Sequence, residues 1–252
     1  MNGLKTLLAA SILATAGIVP AFAADRPEVV LVHGAFADGS SWNKVIPLLQ
    51  QKGIDVISVQ NPLSSLGDDV AAARRAIEQA SGDVVLVGHS WGGTVISEAG
   101  NDPRVKALVY VAAFAPDSGQ STAERGKGYP TPPGIARLAS GPGGYLHLPA
   151  DAVASDFAQD LPPAETALIA ATQGPIRAAN FEEKIGSAAW KTRPSWFVVA
   201  GRDRMIDPRL QRDMAKAIGA RTTELATSHT PMLAEPAAVA EVIAQAVEQA
   251  AR

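Results

Sequence analysis

The chain reads as an α/β domain, a doubly wound and mostly parallel sheet with a small inserted helical cap, and three observations carry that reading. Apolar, β-branched runs alternate with helical stretches, as at Val29-Val30-Leu31-Val32, Val84-Val85-Leu86-Val87 and Val105-Lys106-Ala107-Leu108-Val109-Tyr110-Val111. Strands that are apolar on both faces belong in parallel sheets covered by helices on either side. The middle run passes straight into Gly88-His89-Ser90-Trp91-Gly92-Gly93 and then into a helical stretch, so a serine stands at a tight strand-to-helix corner. Residues 115–194 lose the alternation and carry Pro-Gly punctuation instead. A stretch that long without core strands reads as a cap inserted over a site.

With 252 residues, a net charge of −3 and scattered lysines and arginines, the chain suits one domain, here residues 24–252, and offers no basic field for nucleic acid. Cysteine is absent, which excludes disulfides, thiolate metal sites and a cysteine nucleophile together. The first residues differ from the rest. Lys5, an apolar stretch over 7–19 and Ala21-Phe22-Ala23 have the order of a signal peptide, with cleavage expected after Ala23. The apolar stretch is short and alanine-rich for a bilayer span. The expectation is therefore a periplasmic or secreted protein with no stable membrane insertion after cleavage.

Taken in order, the first strand ends at His33-Gly34-Ala35-Phe36, and Ser41 is the expected N-cap of a helix through residue 51, closed by Gly53. Residues 55–60 alternate as a strand that Asn61-Pro62 stops. Asp68 and Asp69 are expected to begin an alanine-rich helix to about residue 80, with both acids serving its positive end. The serine strand and its helix follow, then the strand over 105–111. Within the cap, helices are expected near 151–160 and 163–172. Ser195-Trp196-Phe197-Val198-Val199-Ala200-Gly201 restores the sheet. A helix over 208–218, a strand near 222–225 and an amphipathic helix over 235–251 complete it.

Serine is a weak nucleophile unless a base takes its proton and a third group orients that base. Of four histidines, His33 precedes the first loop's glycine, His89 is expected to face away within the corner, and His147 lies in the cap. His229 follows the last short strand and is the expected base. The acid should leave a strand ending at the same sheet edge, and Gly201-Arg202-Asp203-Arg204-Met205-Ile206-Asp207-Pro208 offers two. Asp203 comes first, whereas Asp207, immediately before Pro208, has a ready role as helix N-cap. Acyl transfer also needs two amides aimed at the developing oxyanion. Trp91, at a helix N-terminus, and Ala35, after the His33-Gly34 turn, are placed to supply them.

These four segments, His33-Gly34-Ala35-Phe36 with Gly39-Ser40-Ser41-Trp42, Gly88-His89-Ser90-Trp91-Gly92-Gly93, Gly201-Arg202-Asp203 with Pro208, and His229-Thr230-Pro231-Met232-Leu233, resemble the α/β-hydrolase superfamily. Within it the chain is similar to small bacterial hydrolases related to plant methylesterases and hydroxynitrile lyases. The resemblance implies the α/β-hydrolase fold, a Ser90-His229-Asp203 triad and an oxyanion hole from the Ala35 and Trp91 amides. In the lyases a lysine follows the catalytic histidine. Position 230 is threonine here, so the expectation is hydrolysis of a small-molecule carboxylic ester.

Dehalogenases and epoxide hydrolases of this fold carry aspartate where Ser90 stands. A cofactor-free perhydrolase, dioxygenase or C–C lyase keeps the same residues and is the alternative reading, as is a binding protein on an inactive scaffold. No cofactor and no metal are expected, since Gly141-Pro142-Gly143-Gly144 follows no strand and fails as a phosphate-binding loop. Phe36, Trp91, Tyr129 and Trp190 are the expected substrate-binding residues, with Tyr145, Phe157 and Phe181 as further aromatics within reach.

Overall fold

The computed structural model describes residues 26–252; the proposed signal peptide and its cleavage site lie outside the described residues. The chain runs β1 (Glu28–Val32), α1 (Ile46–Gln51), β2 (Val56–Val59), α2 (Leu66–Gln79), β3 (Val84–His89), α3 (Trp91–Ala99) and β4 (Val105–Val111). It then leaves the sheet for a long excursion containing α4 (Thr122–Gly126), β5 (Ala139–Ser140), β6 (Tyr145–His147), α5 (Ala150–Ala152), α6 (Pro163–Thr172) and β7 (Ile176–Arg177). It returns through β8 (Ser195–Ala200), α7 (Pro208–Ala217), β9 (Arg221–Leu225), α8 (Pro231–Ala234) and α9 (Pro236–Ala250).

Six strands form one sheet in the order β2-β1-β3-β4-β8-β9, and every neighbouring pair in it is parallel. Side chains alternate between its faces. Val30, Val32, Leu86, Tyr110 and Phe197 pack beneath residues of α2, α3 and α7 such as Ile77, Val95 and Met214. Val29, Leu31, Val85, Val109 and Val198 pack beneath Leu49 of α1 and Val239, Ile243 and Val247 of α9. Two cores, one per face, explain why these strands are apolar throughout. Each fully buried valine or leucine contributes about 1.5–3 kcal/mol over its exposed state.

Three expectations are corrected. The helix expected from Ser41 divides: Asp38, not Ser41, caps a 3₁₀ turn over Gly39–Trp42 by accepting the Ser40 N–H at 2.7 Å. The α-helix begins only at Ile46, with Pro47 in its first turn; proline has no N–H to continue a ladder from the preceding turn. The second helix begins at Leu66, capped by Ser65, and Asp69 turns inward to complete burial. The excursion is not wholly helical, since β5, β6 and β7 form an antiparallel ribbon. Gly143 and Gly144, both at positive φ, reverse the chain between β5 and β6, a turn that side-chain-bearing residues resist.

Candidate active site

The sheet order reverses between β1 and β3, which lie side by side with Val32 paired to Gly88. Chains leaving those two strands depart in opposite directions, and the crevice so formed is where open α/β sheets bind ligands. His33-Gly34 and His89-Ser90 are the residues that enter it. Ser90 has φ 53° and ψ −120°, a conformation that non-glycine residues adopt only when their surroundings over-determine it. Here they do. Ser90 N–H donates to Val111 O at 3.2 Å, and Ser90 O accepts from Gly93 N at 3.0 Å and Phe114 N at 3.2 Å. The corner closes only without side chains beside it: a Cβ at Gly92 would stand 2.5 Å from Val32 O, and one at Gly34 would stand 2.7 Å from Ser90 Cβ.

Asp203 follows β8 and His229 follows β9, so adjacent parallel strands deliver both to the same edge. His229 Nδ1 lies 2.7 Å from Asp203 Oδ2. A carboxylate oxygen accepts, so Nδ1 carries the proton and Nε2 is the ring's basic nitrogen. Asp203 also accepts from Met205 N at 2.7 Å and Ile206 N at 3.0 Å on Oδ1, and from Gln211 Nε2 at 2.7 Å on Oδ2. Four donors fix it. Asp207 instead caps α7, accepting Arg209 N at 2.8 Å and pairing with the Arg209 guanidinium at 2.6 Å.

Several contributors escape a sequence reading. Fully buried Gln211 holds Asp203 and also accepts Ala200 N at 3.0 Å; its only signal is an amide on the apolar side of α7, beside Leu210 and Met214. His89, expected to face away, instead packs its ring 4.8 Å from that of His229, and its Nε2 donates to His229 O at 2.8 Å. Burial drives its pKa well below the ordinary histidine value, and the neighbouring His229 adds to this; a neutral ring thus supports the His229 loop. His33 is held in the same state by burial. Its Nε2 accepts Asn61 N at 2.9 Å, so Nδ1 donates to Gly34 O at 2.8 Å. With that carbonyl pinned, the trans peptide turns the Ala35 N–H the opposite way. Neither the Ala35 nor the Trp91 amide has an acceptor among the described residues.

Residues 29–242 match the Alpha/beta hydrolase family. The chain belongs to that family. Among relatives of this α/β hydrolase, the pyrethroid hydrolase of Sphingobium wenxiniae is 26% identical over 245 residues, 86% of each chain. Salicylic acid-binding protein 2 of Nicotiana tabacum is 36% identical over 104 residues, 35% of this chain and 40% of that one. The crystal structure of polyneuridine aldehyde esterase superposes with a TM-score of 0.74 at 18% identity, over 87% of this chain and 98% of that one. The fold is thus that of plant esterases and bacterial pyrethroid hydrolases alike.

Beside the site the hydrolase has a cavity of about 310 Å³ walled by Phe114, Tyr129, Ile135, Leu138, Phe181, Ile206 and Leu210, with Thr122, Thr131 and Asp207 as polar members. Its walls are tied to the site: Phe114 N–H holds the Ser90 carbonyl, and Ile206 N–H holds Asp203. Tyr129 lines it, its hydroxyl donating to Asp213 at 2.5 Å. Three other expected substrate-binding side chains are not among its walls. Phe36 belongs to the buried core. The Trp91 indole is fully buried and donates to Asp69 at 2.7 Å. Trp190 is held elsewhere, its Nε1 donating to Pro116 O at 2.9 Å. Phe157 packs edge-on against His229, with centroids 5.1 Å apart, and Tyr145 lines a separate hollow with His147.

Proposed function

We propose that this α/β hydrolase is a carboxylesterase that works through Ser90, His229 and Asp203. The observation that carries the reading is the Asp203-oriented imidazole, delivered to the sheet edge where Ser90 is held in a strained turn. In the reaction Ser90 Oγ attacks the ester carbonyl while His229 Nε2 takes its proton; Asp203 holds the tautomer and balances the imidazolium. The Ala35 and Trp91 amides receive the oxyanion, each such donor lowering the barrier by about 2.7–4 kcal/mol in comparable sites. His229 then protonates the departing alkoxide, leaving an acyl group on Ser90. Water, deprotonated by the same nitrogen, releases the acid and restores the hydroxyl.

The apolar cavity favours an ester whose acyl or alcohol part is bulky and uncharged, in keeping with the pyrethroid hydrolase among its relatives. Ser90→Ala tests the reading. It should abolish turnover of p-nitrophenyl butyrate and labelling by a fluorophosphonate while the fold survives. Full activity in that variant would discard the mechanism. We also propose export, from residues 5–23 of the sequence; protein recovered from the periplasm or medium should have an intact mass beginning at Ala24, and a cytoplasmic chain that retains Met1 would refute it.

A further inference from the structure

Asp69 is a carboxylate in an unexpected place. It sits in the first turn of α2, is 0% exposed, and has no lysine or arginine paired with it among the described residues. Burial raises its pKa to about 6 against the pull of its two hydrogen bonds, and the acidic neighbours Asp68, on its own helix, and Glu183, from the excursion, push the same way. A buried carboxylate with no cation beside it is costly to the fold except where hydrogen bonds offset its desolvation.

What the carboxylate does is accept on both oxygens. Oδ1 receives Leu63 N at 2.7 Å, and Oδ2 receives Trp91 Nε1 at 2.7 Å. An asparagine would turn its NH2 toward one of these N–H groups, and a protonated acid keeps its hydroxyl oxygen only as a weaker acceptor, so the ionised carboxylate serves both donors best. Both groups it holds lead to the site. Trp91 is the residue after Ser90, and its ring meets Phe181 of the cavity wall edge-on at 5.5 Å. Leu63, at φ 59°, offers its carbonyl to Arg177 N at 3.0 Å and Asn180 Nδ2 at 3.1 Å, both in the excursion.

We propose that Asp69 is a positioning residue, which as a carboxylate anchors the Trp91 indole and thereby keeps the Trp91 N–H aimed at the developing oxyanion. This inference rests on the esterase reaction proposed above. The anchor matters most when negative charge develops, so its loss should fall on kcat more than on KM.

The test is a double-mutant cycle of Asp69→Asn and Trp91→Phe on p-nitrophenyl butyrate, with active sites counted by fluorophosphonate titration and Ser90→Ala as reference. Each single variant should lose roughly tenfold in kcat per titrated site with KM within about twofold, and the double variant should be no slower than the slower single. A merely structural Asp69 would lower the titrated fraction and leave kcat per site unchanged. That result, or losses that multiply in the double variant, overturns the proposal. Should Asp69→Asn fail to fold, Trp91→Phe, which keeps an aromatic ring while deleting the donor together with the pyrrole part of the indole, decides by the same kcat criterion. Turnover retained by Ser90→Ala would overturn the reaction and this inference with it. An inactive Ser90→Ala beside an unimpaired Asp69→Asn overturns this inference alone.

Discussion

Gln211→Leu separates the support of the acid from the acid itself. The amide is fully buried and makes three bonds: Oε1 accepts Ala200 N at 3.0 Å, and Nε2 donates to Asp203 Oδ2 at 2.7 Å and to Ile206 O at 3.1 Å. Leucine fills a similar volume but leaves an N–H, a carbonyl and one carboxylate oxygen short of a partner. Each buried polar group so stranded costs about 1–3 kcal/mol, and the apolar side chain returns about 1.5–3 kcal/mol by its own burial. The net expectation is a loss of about 3 kcal/mol, a large share of the roughly 5–15 kcal/mol that holds a domain together. Asp203 keeps three of its four donors, so its aim loosens without being lost. A fall in kcat of roughly tenfold follows, with KM unchanged because Gln211 is not a wall of the cavity. Urea unfolding followed by tryptophan fluorescence gives the first quantity and steady-state hydrolysis of a p-nitrophenyl ester the second. A destabilisation under about 1 kcal/mol with unaltered kcat would refute the argument that these three bonds are needed.

Asp203→Asn should lower kcat by about four orders of magnitude, whereas Asp207→Ala should cost about 0.5–2 kcal/mol of stability and change kcat far less, since Asp207 lines the cavity but does not hold the imidazole; paired turnover and denaturant midpoints check both, and the reverse pattern would exchange the roles. Asp69 makes a signed prediction for stability. Its pKa is about 6 when folded against 3.8 for an aspartate carboxyl in water, so between these values the folded chain binds more protons than the unfolded one. Its contribution to stability therefore declines as pH rises from about 4 to 7, by about 2.5 kcal/mol. The check is the difference in unfolding free energy between wild type and Asp69→Asn across that range, and a flat or rising difference contradicts it. Phe181→Ala, which removes a cavity wall, should raise KM for an apolar ester several-fold, while Trp190→Ala should leave KM within about twofold. Equal effects on KM would mean that the cavity is not where substrate binds.

Local signals determined much of this protein before any packing was known. Runs such as Val29-Val30-Leu31-Val32 announce strands covered on both faces because their apolarity has no alternation to hide. The serine corner is legible because glycines at 88 and 92 and an apolar strand lie within a few residues of Ser90. Asp207 before Pro208 reads as a cap for the same local reason. The partnership of Asp203 with His229, 26 positions apart, was within reach only because strand order supplies a rule for which loops meet.

Tertiary structure alone decided the rest. Asp69 is a plausible solvated helix acid until α2 packs and turns it onto Trp91, 22 residues away. His89 gains its support role from a carbonyl 140 positions distant. Phe36, Tyr129, Phe181 and Trp190 are interchangeable as aromatic letters, yet two wall the cavity and two do not. In each case composition sets what a side chain can do, but its direction depends on which element packs over it. Burial then converts that direction into chemistry, because a polar group removed from water must take its partners from whatever the fold has brought near.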